Sequence, residues 1–285
     1  MKRAVIAPVF IVFVVFVVAT AFAVAAAQSG GGAISSTASP ASPAGPVPRA
    51  ADGHPDLSGV WWPGSDLTVR PLAPSPAPAS APAAPAAAPR PRPSFASLYQ
   101  PWAMEKAKTL SDKDDPSLHC TSVAFGTLNV SLYGMGVVGQ IVQTPKFVVM
   151  LTETYHGFRL VPTDGRKHRD DVPPSLRGDS VARWDGDTLV VDTTNFTDTN
   201  WMAAEGLVSF HSDALHIVER YRRADANTLE VEATVEDPKV LTGPWIVPKQ
   251  TLRLAPFDQI MEVACTGTAT AALMDAASKV NYGKK

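Results

Sequence analysis

Glu219 is the residue best placed by its pattern to do proton chemistry inside a folded body. It lies in Leu215-His216-Ile217-Val218-Glu219-Arg220-Tyr221. If Arg220 and Arg222 point outward to pair with Glu230 and Glu232 on the next strand, period two sends Leu215, Ile217, Glu219 and Tyr221 to the inner face. A carboxyl buried there without a cation has a raised pKa, which suits a general acid, a general base or a ligand anchor. An ion pair with Arg159 or Arg183 would make it structural instead, and both readings stand at this level.

Two loops offer further groups: Ser209-Phe210-His211-Ser212-Asp213 and Thr163-Asp164-Gly165-Arg166-Lys167-His168. Both flank strand ends, where a rigid scaffold leaves loop chemistry free. In a catalytic reading Glu219 or His211 moves a proton and Arg166 holds an oxyanion. Asp164, Arg159, Trp184 and Tyr221 join Arg166 as candidate ligand contacts. The alternative for Asp164, Arg166 and Asp213 is that they close their own turns by side-chain hydrogen bonds.

Other chemistries fit less well. Gly134-Met135-Gly136-Val137-Val138-Gly139 matches a dinucleotide fingerprint, but a strand-like Gln140-Ile141-Val142-Gln143 follows where a helix must receive the pyrophosphate. Gly178-Asp179-Ser180-Val181-Ala182 lacks the second glycine of a nucleophile elbow and opens a strand. The six histidines contain no H-x-x-x-H pair. Only distant loops could gather His156, His168 and His211, so no metal site and no cofactor is expected.

These groups must be positioned by strands. Alternation, β-branched residues and turn dipeptides fill the second half, and no long 3.6-residue stripe appears. Hairpins are expected at 140–143 with 147–152, at 180–184 with 188–194 around Asp185-Gly186-Asp187, and at 249–254 with 259–264; a further strand is expected over 158–161. Leu229, Val231, Ala233 and Val235 face inward on the strand after Glu219. The class is all-β, an antiparallel meander of roughly eight to ten strands closing into a barrel, with one short helix over 101–110.

The chain has 285 residues, 45% hydrophobic and 18% charged, with a formal net charge of -2. That suits one globular domain with tails, and there is no basic excess to meet a phosphate backbone, so nucleic acid is not an expected partner. Residues 1–27 run Lys2-Arg3, an apolar stretch, then Ala25-Ala26-Ala27, the order of a secretory signal. The stretch is also long enough to anchor the chain if it stays uncleaved, the single membrane contact expected. Residues 28–51 and the Pro/Ala-rich 71–93 read as linker and inserted loop of a single domain over 52–285. Export to the periplasm or beyond favours a Cys120–Cys265 disulfide, with two buried thiols as the alternative.

Several blocks carry a resemblance: Asp56-Leu57-Ser58-Gly59-Val60-Trp61, Thr163-Asp164-Gly165-Arg166, Trp184-Asp185-Gly186-Asp187-Thr188-Leu189-Val190-Val191-Asp192-Thr193, and His211-Ser212-Asp213-Ala214-Leu215-His216 with Glu219-Arg220-Tyr221. From Asp56 to about Cys265 the chain resembles a large set of exported bacterial proteins of unassigned function. It departs from them in the Pro/Ala insertion, in Arg169 and in Thr266-Gly267. More distantly, Gly59-Val60-Trp61 is similar to the G-x-W opening of lipocalin and other calycin barrels. That resemblance implies a Trp61 that closes one barrel end under an arginine from a late strand, for which Arg253 is the match.

The expected function is an exported barrel that holds a small, largely apolar molecule, either with cofactor-independent lyase, isomerase or hydrolase chemistry or as a carrier that performs none. A cell-envelope structural module is the third expectation. Neither the identity of the molecule nor the oligomeric state is legible.

Overall fold

The computed structural model describes residues 45–64, 92–124, 138–153, 157–202, 204 and 208–261. Ten strands form one sheet: β1 (Gly59–Trp62), β2 (Gly139–Gln143), β3 (Phe147–Thr152), β4 (Phe158–Pro162), β5 (Asp179–Asp185), β6 (Thr188–Thr194), β7 (His216–Asp225), β8 (Thr228–Glu236), β9 (Trp245–Ile246) and β10 (Gln250–Leu254). The neighbour order is β4-β3-β2-β1-β10-β8-β7-β6-β5, with short β9 on the side of β8. Every ladder is antiparallel. The result is a nearly closed nine-stranded barrel, consistent with a calycin-like one.

No ladder joins the two ends of the strand order. Alternating direction around an odd number of strands leaves β4 and β5 pointing the same way. They lie against each other without a ladder. The turns after β2, β5 and β7 rim one opening. The β3–β4 turn, the β6–β7 connection and the starts of β5 and β10 rim the other.

Local sequence explains most of the strands. Gly186 adopts φ 58° in the two-residue β5–β6 turn, where a residue with a Cβ would be strained. On β8 Leu229, Val231, Ala233 and Val235 are buried, and on β7 Ile217, Glu219, Tyr221 and Arg223 are. Outside, Arg222 pairs with Glu230 as expected, whereas Arg220, although opposite Glu232 in register, pairs with Asp185 at 2.8 Å.

Two expectations need correction. Residues 259–261 form no strand. β10 has β8 on one side and β1 on the other, so both its edges are occupied and no hairpin partner can add. The arginine over Trp61 is Arg223, whose guanidinium carbon lies 5.0 Å from the ring centroid. Arg253 faces outward, because Leu252 takes the inward position beside it.

The core has two parts. Inside the barrel, Trp61, Ile141, Val148, Met150, Leu189 and Val231 are among the residues that pack together with almost no exposure. At the second opening a cap forms around Phe95, Tyr99, Phe196, Phe210 and Trp245. The helix α1 (Pro101–Thr109) belongs to this cap; it starts with proline at its first turn, which needs no N–H there. Gln100 and Trp102 donate to the carbonyls of Pro238, Leu241 and Lys239 and so dock the helix on the 237–242 segment. Among the described residues no helix is long and apolar enough to cross a membrane. The signal segment, the Pro/Ala-rich loop at 71–91 and the glycine turn at 134–137 lie outside the described residues.

Candidate functional site

Inside the barrel Arg159, Glu219 and Tyr221 form one buried cluster. Arg159 enters from β4, opposite Met150 in register, and Glu219 and Tyr221 enter from β7 two residues apart and therefore on one face. Arg159 Nη1 donates to Glu219 Oε2 at 2.6 Å, and Nη2 donates to Oε1 at 3.0 Å. Tyr221 Oη donates to the same Oε1 at 2.6 Å and accepts from Nη2 at 3.2 Å. The pair is 8% and 1% exposed, which places two full charges inside an apolar wall.

This settles Glu219 as a carboxylate with a cation rather than a carboxyl left alone. Both of its oxygens are engaged. Burial, reinforced by the Glu219 charge, raises the Tyr221 phenol well above its ordinary value. Burial works against the Arg159 charge, yet the attraction of Glu219 and Tyr221 holds the guanidinium above its usual value. One polar atom of the cluster is left over: Arg159 Nε is buried and makes no hydrogen bond.

A second polar group lies at the capped opening. Arg177 stands two residues before β5, half-buried, with Nη2 donating to Ser122 Oγ at 3.4 Å. Burial, then the nearby Arg159 charge, lowers it to about 10. Its guanidinium lies against Gly157: a Cβ there would come within 2.0 Å of Nη2. Asn200, fully buried, donates to the carbonyls of Ser122 and Leu176 at 2.7 and 2.9 Å and so fixes both flanks of Arg177.

His211 belongs to this opening and not to the Glu219 cluster. Its Nδ1 faces the Ser212 carbonyl at 2.9 Å and its Nε2 faces Asn200 Oδ1 at 3.1 Å. Because the Asn200 amide nitrogen is the donor to two carbonyls, both histidine nitrogens face acceptors. A neutral imidazole has one N–H and can satisfy only one of them. Burial lowers the His211 pKa, against the pull of the Ser212 carbonyl and the Asp237 and Asp198 charges. Asp237 holds the loop by accepting from Ser212 N and Oγ at 2.6 and 2.7 Å.

The remaining candidates disperse. Arg166 and Asp164 pair with each other, Nη2 to Oδ2 at 2.6 Å, on the exposed loop after β4 at the opposite opening. Hydrogen bonding from Arg166 holds the Asp164 carboxyl at about 2. They close their own turn, and Asp213 pairs with Lys239. Trp184 sits near the β5–β6 turn and stacks on His54 with ring centroids 4.5 Å apart. Ser180 hydrogen-bonds Thr193, with no histidine against it.

His168 bridges Asp179 and Asp192, both at 2.9 Å, and His216 bridges Asp192 and Glu236 at 3.0 and 3.1 Å. This ladder on the outer surface ties the 163–178 loop to β5, β6, β7 and β8. Among the described residues no group of three or more His, Cys, Asp or Glu is arranged to hold a metal. His156 lies outside them. So does Cys265, the expected partner of Cys120, which ends the turn Pro116–His119 in a left-handed conformation.

Arg177, Asn200 and Ser122 were not among the sequence candidates. One local signal was available: Arg177 directly precedes Gly178, which takes φ 69° and whose added Cβ would meet the Thr194 carbonyl at 2.5 Å, so this turn holds the arginine in one place. No protein-family model, no curated protein and no solved structure matches the chain.

Proposed function

We propose that this is an exported small-molecule-binding barrel whose ligand is largely apolar and carries a hydrogen-bond acceptor. The observation that carries this reading is Arg159 Nε, a donor on a charged side chain that is more than nine-tenths buried and has no partner. An unpaired buried donor costs about 1–3 kcal/mol, and a ligand acceptor offsets that cost. Met150 and Tyr221, which touch the Arg159 guanidinium, are the buried surroundings such a ligand would meet. Binding fits the geometry better than proton transfer through Glu219, because a general base must be in reach of substrate, whereas Glu219 is 1% exposed and accepts three hydrogen bonds from Arg159 and Tyr221.

The export segment, and a Cys120–Cys265 disulfide in an oxidising compartment, belong to the same reading; no free cysteine stands among the described residues. Native mass spectrometry of the protein purified from its own host tests it. The expected result is a non-covalent mass excess lost on denaturation and diminished in Arg159→Gln. A natively extracted protein at its bare polypeptide mass refutes it.

A further inference from the structure

We infer that Arg177 is the charge-recognising group of the ligand site, and that the molecule it takes is a monoanionic carboxylate with an apolar body. This rests on the small-molecule reading above and adds the ligand's charge. The capped opening holds two guanidinium groups, Arg159 and Arg177, close enough for the charge of one to act on the other. Glu219 neutralises Arg159. Among the described residues no carboxylate pairs with Arg177, whose one hydrogen bond goes to a neutral hydroxyl at the outer limit of bonding distance. Among the described residues the local sum is one uncompensated positive charge, at a place that is partly withdrawn from water.

The fold goes out of its way to keep the guanidinium there. Glycine at 157 provides the space, since a Cβ would stand 2.0 Å from Nη2 and 2.5 Å from Cζ. Asn200 ties down the carbonyls on both sides, of Leu176 and of Ser122. A half-buried arginine fork with unused donors matches a carboxylate in shape and charge. One positive charge is balanced by one negative charge, whereas a dianionic phosphate would leave an excess charge beside an apolar core. Val123 and Ala124, buried next to Ser122, and Phe196 beside Gly178 supply the apolar surroundings.

The test is calorimetric titration of the purified full chain with octanoate, with 1-octanol as its neutral counterpart and with inorganic phosphate. The same titrations are run on Arg177→Gln and Gly157→Ala. Octanoate is expected to bind the wild type, and at least about tenfold more weakly in Arg177→Gln, the loss of one charged hydrogen-bond set. Gly157→Ala keeps the charge but displaces it, and the same loss is expected. Octanol affinity stays within about twofold in all three proteins.

Octanoate binding unchanged in Arg177→Gln overturns the inference while leaving a ligand-binding barrel in place, as does phosphate binding tighter than octanoate. If neither octanoate nor octanol binds and the natively extracted protein has its bare mass, both readings fall. Ligand-free Arg177→Gln is expected to melt at or above the wild-type temperature, because it loses a cation that has no counter-ion. A drop of more than about 5 °C assigns Arg177 a structural role and also overturns the inference.

Discussion

Glu219→Gln separates a cation–carboxylate cluster from an isolated buried acid. The substitution keeps size and hydrogen-bonding reach but removes the negative charge, and Arg159, 8% exposed, becomes a buried guanidinium without a counter-ion. Breaking a buried pair from one side costs about 3–5 kcal/mol. For a body of this size each kcal/mol lowers the melting temperature by about 2–4 °C, so a fall of about 6–20 °C is expected. Replacing the whole cluster at once, Arg159→Met with Glu219→Leu and Tyr221→Phe, removes both charges and the hydroxyl that depended on them. Apolar replacement of a buried ion pair is often neutral or stabilising, so the triple variant is expected within about 2 kcal/mol of wild type in urea unfolding. Non-additivity is therefore the diagnostic quantity. A Glu219→Gln protein destabilised by less than about 1 kcal/mol, or a triple variant no more stable than that single one, refutes the buried-cluster argument.

Two of the engaged histidines, His168 and His211, give opposite pH signatures. Burial opposes the charge of His168, but the hydrogen bonds it donates to Asp192 and Asp179 raise its pKa above 6.5; its stabilisation is present in full below pH 6.5 and is lost as pH rises through the folded-state value. His211 is lowered from 6.5, chiefly by burial, so its contribution is present above pH 6.5 and is lost as pH falls through its folded-state value. Urea midpoints measured across pH 5 to 9 are expected to lose their alkaline decline in His168→Ala and their acid decline in His211→Phe, and unchanged profiles exclude the assignment. Asn200→Leu leaves the Ser122 and Leu176 carbonyls without their donor, a cost of about 2–4 kcal/mol, and is expected to lower the His211 pKa seen by NMR titration further, because it removes an acceptor that favours the protonated ring. Arg223→Ala is expected to cost about 2–3 kcal/mol and to shift Trp61 emission, since it removes donors to the Asp56 and Ala226 carbonyls as well as the ring contact. Arg253→Ala stays within about 0.5 kcal/mol, and the reverse ranking would restore Arg253 to the position over Trp61.

Much of the barrel was legible because hairpin turns and alternation are local signals. Asp185-Gly186-Asp187 marked its turn, and the β8 pattern fixed which residues of β7 face inward. The same parity that buries Ile217, Glu219 and Tyr221 also buries Arg223; the run Arg220-Tyr221-Arg222-Arg223 hid this by looking like a solvated face. The strand expected at 259–264 is not formed over its described part, 259–261, for a different reason. Alternation registers the tendency of a segment to extend, but it does not register whether a neighbouring edge is free, and β10 had none to offer once β1 closed on it.

The site was legible only as far as its pieces lay on strands. Glu219 and Tyr221 share a face by spacing, and Arg159 was one of two cations named as a partner, but the choice between Arg159 and Arg183 depended on strand order around the barrel. Arg183 is exposed on β5, while β4 brings Arg159 across to β7 from the far side of the open seam. The contacts of Arg177 span still longer stretches of chain, to Ser122 and Gly157, and no periodicity carries such information. Both openings hold a buried donor without a partner, because Arg223 Nε beside the β7–β8 turn makes no hydrogen bond either; they differ in their remaining polar groups. At the turn-rich opening Asp164 and Arg166 satisfy each other in solvent. At the capped opening the burial cost has been met for Arg159 by Glu219 and for Asn200 by two carbonyls, yet Arg159 Nε and the Arg177 fork keep unused donors. Apolar side chains at these positions would cost the fold little stability, and under the proposed function the donors kept at the capped opening serve a ligand's acceptors.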